Sequence, residues 1–298
     1  LSLLALENRI TPAASISFLN GNLTVTGDNT ANVIEVSEAA GSASVNVNGV
    51  FRGTYAITGR LTVNGGNSSD TILVRINGGA SLPGDVLINV GNGNDFVFVD
   101  GNGGEGTIPG RLAISLGAGD DLVNLAAFGG LRVNGLMTID GNVGNDTVEV
   151  GLSVPSRPAG VKVKNIGARP EGGPVFTGVG TFSGLTSLTG VNQFRSDAPA
   201  PGQTTFGQFI MNSGSEAVNS SFFPNNTTFG GDVTVITGGG NDSLTPIFGN
   251  TFNGNVLFSA GAGNNDSAPW GDNYFAGNWT YIGGNGSDFV FSAEPHAG

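Results

Sequence analysis

Gly84-Asp85-Val86-Leu87-Ile88-Asn89-Val90-Gly91-Asn92-Gly93-Asn94-Asp95-Phe96-Val97-Phe98-Val99 decides how this chain reads. Val86, Ile88 and Val90 alternate with period 2, and so do Val97 and Val99 after Asp95; a Gly/Asn/Asp turn lies between them. That is two short strands and a bend. The pattern returns from Gly110 to Leu125, with Leu112, Ile114 and Leu116, a turn ending in Asp121, then Val123 and Leu125. Its opening motif, Gly-x-Φ-x-Φ with Φ apolar, starts at Gly21, Gly59, Gly84, Gly110, Gly135, Gly231, Gly254 and Gly277. The steps are 25, 26 and 25 from Gly59 to Gly135, and 23 and 23 from Gly231 to Gly277. The gap of 96 between the two series holds four steps of 24, with weaker starts near Gly160, Gly184 and Gly207.

A unit this short cannot bury its own apolar face, so neighbouring units must stack. The spacing predicts an all-β fold: a single-stranded parallel β-solenoid of about eleven coils of 23–26 residues, with three short strands per coil. At about 4.8 Å per coil the rod would be roughly 50 Å long. No stretch carries capped helical periodicity, so no helix is expected. The third strand of each coil places Phe182, Phe206, Phe229, Phe252 and Phe275 in a column that earlier holds Ile57, Leu82, Ile108 and Val133. Shared occupancy with aliphatics predicts a stacked core ladder of rings rather than an exposed aromatic strip. On the outside, Arg60, Asp85 and Arg111 should lie on successive rungs, as should Arg75 and Asp100.

The expected organisation is an N-terminal segment at 1–16, a first coil with a hairpin insertion at 17–58, and the solenoid at 59–298 with degenerate, loop-rich coils at 151–230. The hairpin follows from Asn48-Gly49 within Ser44–Arg52, and it should cap the rod.

Composition removes several functions. There is no Cys, which excludes thiol chemistry, disulfides and Cys-type zinc sites. The one His, His296, is too near the end of the sequence to be a well-held catalytic base. A net charge of -12 disfavours nucleic acid and anionic membranes, and no apolar run is long enough to insert. The partners expected are therefore cations, neutral glycans or the chain itself.

The turns end in Asp70, Asp95, Asp121 and Asp146, and again in Asp242, Asp266 and Asp288. In a solenoid these become two acidic ladders, and Ca²⁺ bridging them would relieve the repulsion. The competing reading needs no metal: Gly supplies positive φ and Asp or Asn caps the turn. The turns Gly91–Asp95, Gly117–Asp121 and Gly284–Asp288 resemble the G-G-x-G-x-D-x-U-x repeat of RTX-type calcium-binding proteins, which implies Ca²⁺ as a cofactor. In that family the repeat recurs every nine residues; here it comes once per coil.

Leu6-Glu7-Asn8-Arg9-Ile10-Thr11-Pro12-Ala13 is similar to the L-E-x-R-x-x-P-A segment of planctomycete exported proteins. The stretch from Gly21 to Gly66 is similar to the opening of the large β-strand-repeat surface proteins of those bacteria. The resemblance implies export, a cell-surface or extracellular place, and no enzymatic activity.

Apolar side chains stand in the terminal coils: Trp279, Tyr281, Phe289 and Phe291 at one end, Leu23 and Val25 at the other. Open ends of that kind invite head-to-tail association into a filament, with the chain as its own partner. A monomeric adhesin or module binding cell-surface glycans is the alternative. A polysaccharide lyase is a third. Its carboxylates would have to come from Asp120, Asp121 or Glu149, or from the cluster Lys162, Lys164, Arg169 and Glu171; these read as turn, strand surface and solvated loop.

Overall fold

The computed structural model describes residues 14–125, 130–150, 160–167, 175–177, 180–182, 184–197, 204–214 and 219–291. Within them the chain is all-β, a parallel β-solenoid without helix. Strands opening on Gly-x-Φ-x-Φ stack into a twelve-stranded sheet, and strands following the Gly/Asn/Asp turns stack into a thirteen-stranded one. The register is the one the spacing predicts. Leu61, Val86, Leu112 and Met137 align on the first side, and Ile72, Val97, Val123 and Val148 on the second.

The third side corrects the expectation of three strands in each of eleven coils. Gly106–Ile108 pairs with Leu131–Val133, and a separate five-stranded sheet runs from Gly180–Phe182 to Tyr274–Phe275. Strands on all three sides are therefore seen in about seven turns. Before Gly106 this side is reduced to an isolated bridge, Ser81 to Thr107. A coil keeps its side there through one inward residue, such as Leu82, without a continuous ladder.

The N-terminal end is antiparallel, a second correction. β1 (Ala14–Leu19) folds onto β2 (Asn22–Gly27), and β3 (Val33–Ala39) is followed by β4 (Ser42–Val47) and β5 (Val50–Tyr55), each antiparallel to the last. The expected Asn48-Gly49 hairpin joins β4 to β5. Two further hairpins turn at Asn20-Gly21 and Ala40-Gly41, with positive φ at both residues in every case. That is the geometry matching the strand twist. β1 lays Phe18 and Ile16 opposite Leu23 and Val25, which are fully buried. Leu23 and Val25 are thus core, and the surface of this end is made by β1 and β5 instead.

The core changes character along the rod. Up to Val150 it is Val, Ile and Leu with Ala43 and Met137, and Ile57, Leu82, Ile108 and Val133 occupy the third column. From Phe182 onward that column is a ring stack: centroids 4.8, 5.5, 4.9 and 4.7 Å apart, with interplanar angles of 10, 18, 5 and 1°. Stacking at this distance matches the rise of one coil, so the rings fit the sheets without strain. Phe194, Phe209, Phe222 and Phe258 fill the rest of that half.

Candidate functional site

At the edge between the first and second sheets the chain leaves one ladder before entering the next. Turn N–H groups there need partners, because buried main-chain donors are costly to leave unpaired. Two side-chain columns supply them. Asp70, Asp95, Asp121 and Asp146 each reach back one coil. Their Oδ1 atoms accept the N–H of Asn32, Asp70, Asp95 and Asp121 at 2.7, 2.6, 2.7 and 3.0 Å. The residue just before reaches forward: Asn94 Oδ1 accepts from Asp120 N–H, and Asp120 Oδ1 from Asn145 N–H, both at 3.0 Å. An Asn-Asp or Asp-Asp pair therefore ties its turn to both neighbours.

The C-terminal half repeats the device, in a shifted register. Ser220 N–H donates to Asp242, Asp242 N–H to Asn265 and Asn265 N–H to Asp288, at 2.8, 3.0 and 3.3 Å. The buried column residue is Asn265. Asp266, expected in the ladder, is the first residue of its strand, exposed and paired with Ser243. The signal was in the sequence: coils here step by 23, and 242 plus 23 is 265, then 288.

The Asp column is buried. Asp70, Asp95, Asp121 and Asp146 are 3% exposed or less, and their Oδ2 atoms have no hydrogen-bond partner among the described residues. Burial pushes the Asp95 carboxyl up to about 6 and that of Asp146 up to about 7. Asp70, Asp121 and Asp242 are raised for the same reason, with hydrogen bonds from neighbouring turns offsetting part of it. Among the described residues no group of three or more His, Cys, Asp or Glu side chains gathers as a metal ion requires.

Glycine is dictated at the turn apex. Gly119 has φ 140°, and an added Cβ would lie 1.7 Å from the Gly93 carbonyl oxygen; Gly263 has φ 131° and 1.8 Å from that of Gly240. Both the backbone angle and the coil below exclude a side chain.

On the outside, Asp85 pairs with Arg60 at 4.0 Å and Arg111 at 3.1 Å, as expected. Arg75 is in register with Asp100, but its ion-pair partner is Glu35 on the opposite rung. The carboxylates considered for lyase chemistry are engaged otherwise: Asp120 in the forward column, Glu149 with Asn124. Lys164 pairs with Asp140. Arg169 and Glu171 lie outside the described residues, as do Leu6–Ala13. A cleft of about 610 Å³ crosses the outer face of the second sheet, floored by Leu73, Phe96, Phe98 and Leu122 and edged by Arg75, Asp100, Asn102 and Asn124.

Both ends expose apolar side chains. Trp279 and Tyr281 are half-buried against the core, whereas Phe289 and Phe291 are exposed. At the other end Phe18, Leu19, Val50 and Phe51 are exposed. No family model, no curated protein and no solved structure matches this chain.

Proposed function

We propose that the chain is a non-enzymatic structural rod of about eleven coils, placed at the cell surface or outside the cell, that assembles end to end with copies of itself. The observation that carries this reading is the apolar surface at both ends of the described rod. Phe289 and Phe291 are 62% and 53% exposed at one end, Phe18 and Phe51 42% and 61% at the other. Strand edges beside them, β1 and β5 at one end and Trp279–Ile282 and Phe289–Val290 at the other, offer main-chain partners to a further strand. Joining unlike ends does not close, so it propagates. A surface location is supported by the resemblance of Leu6–Ala13 to exported proteins. A non-enzymatic role is supported by the turn-edge carboxyls, which serve the main chain of adjacent coils.

Sedimentation and electron microscopy of the purified chain test the reading. The expected result is concentration-dependent rods longer than one molecule, shortened by Phe289→Ser with Phe291→Ser. Particles of one molecule's length at every concentration would overturn it. A second reading, a glycan-binding module, is favoured by the cleft over Phe96 and Phe98, whose apolar floor can take a sugar face and whose rim of Arg75, Asp100, Asn102 and Asn124 can bond its hydroxyls. Retention on a glycan array, lost in Phe96→Ala, would support it.

A further inference from the structure

We propose that Asp70, Asp95, Asp121 and Asp146 form a column of neutral carboxylic acids in weakly acidic solution, each donating its Oδ2–H into the carbonyls of its own turn, so that the rod is tightest in acid and loosens as pH rises to neutrality. The argument starts from the two places where the same column carries Asn. Asn265 Nδ2 donates to the carbonyls of Gly261 and Gly263, four and two residues earlier, at 3.1 and 3.4 Å. It also donates to Asp288 Oδ1 on the next coil at 2.9 Å. Asn32 Nδ2 does the same toward the carbonyls of Asp28 and Thr30. The position therefore presents oxygen acceptors and is filled by a donor.

In the Asp turns the Oδ1 role is unchanged, since it still accepts the main-chain N–H of the preceding coil. A planar carboxyl then puts Oδ2 where Asn puts Nδ2. The corresponding carbonyls are those of Gly91 and Gly93 for Asp95, and Gly117 and Gly119 for Asp121. Gly91 and Gly117 each accept one N–H from the next coil, from Ala118 and Val143. A second lone pair on each is left for the acid hydrogen. An ionised Oδ2 would instead be a buried charge without a hydrogen-bond partner among the described residues. A proton resolves this, and it turns Asp into the analogue of the Asn found at 32 and 265.

The charged groups acting on these carboxyls are themselves acidic: Asp28 beside Asp70, Asp120 beside Asp121 and Asp146, and the column's own neighbours. Their charges favour the neutral form and add to burial, the largest cause; the hydrogen bonds these carboxyls accept pull the other way without reversing the upward direction. The sign follows. An unfolded Asp loses its proton near ~3.9. The folded one holds it higher, so the folded state binds more protons between those values. The stabilisation is complete below about pH 4 and is lost as pH rises through about 6 to 7.

The test is a series of thermal melts of the full chain from about pH 4 to about pH 8 with a chelator present, for the native sequence, Asp146→Asn and Asp95→Asn. The native melting temperature should fall across that range. Each Asn variant should melt at least about 3 °C higher than the native chain at the alkaline end and alike at the acid end. Infrared spectra provide a second readout that does not depend on stability: a protonated-carboxyl band at about pH 5, where an ordinary Asp is ionised, reduced in each variant. A native melting temperature that rises with pH would overturn the proposal. So would calcium raising it by several degrees with the effect lost in the Asn variants, since that would make the column a cation site.

Discussion

Between Leu61 and Val150 the interior of the rod is aliphatic, its coils are 25 or 26 residues long, and its turn edge runs Asp70, Asp95, Asp121, Asp146. Between Phe209 and Phe275 the coils shorten to 23 residues, rings fill the interior, and the turn edge reads Ser220, Asp242, Asn265, Asp288. The first and second sheets run through both halves, whereas the third side is a separate sheet in each. What is held in common is the role of each column: apolar and inward, or a side-chain oxygen for a main-chain N–H. The residue that fills the role varies. Rings suit the shorter coils because flat stacking at 4.7–5.5 Å fills the interior at the rise the sheets already impose.

The largest effect should come from breaking the ring stack. Phe229→Ala removes the middle ring, with a neighbour at 5.5 Å on one side and 4.9 Å on the other, and should lower unfolding free energy by about 3–5 kcal/mol in denaturant titration. Ile114→Val, a trim in the aliphatic half, should cost about 0.5–1.5 kcal/mol. A Phe229→Ala loss as small as that of Ile114→Val would show that the column closes over the missing ring.

Next come the turn apexes, where the halves should agree. Gly119→Ala and Gly263→Ala each force a Cβ toward a carbonyl oxygen below, at an angle L residues avoid. Each should cost at least about 2 kcal/mol. A large difference between the two would mean that the turn is not one shared device.

The smallest effect sharpens the contrast at the turn edge. Asn265→Asp should bring the N-terminal half's acid preference into the C-terminal half. Melting at about pH 4 should be nearly unchanged, while stability at about pH 8 should drop by about 1 kcal/mol or more. No added pH dependence would mean that the carboxyl is accommodated ionised at this position.

Much of this was legible from spacing. The Gly-x-Φ-x-Φ steps predicted the rung partners Leu61, Val86, Leu112 and Met137, because period-2 alternation leaves one register with every apolar side chain inward. The column Phe182 to Phe275 was legible for the same reason. The turn edge was only half legible. Asp95 and Asp121 were visible as turn residues, but their burial depends on the coils above and below. Asp266 drew attention as an acid, yet the 23-residue step puts Asn265 inside. The capping β1 was missed because Asn20-Gly21 reads equally well as the opening of a coil, and only the pairing of Phe18 with Leu23 shows a hairpin.

The sequence alone determined an all-β stack with its period, its inward columns and the glycines of its turns, since these follow from local alternation and backbone angles repeated coil after coil. Only the tertiary structure decided which acids are buried, which main-chain N–H groups they accept, which basic residue pairs with Glu35 and what covers Leu23 and Val25. Those properties belong to no single coil. Most arise where one coil meets the next, between residues 23 to 40 positions apart, as in Asp242 with Asn265 and Arg75 with Glu35; the cover of Leu23 and Val25 arises from a hairpin whose pairing the alternation alone does not reveal.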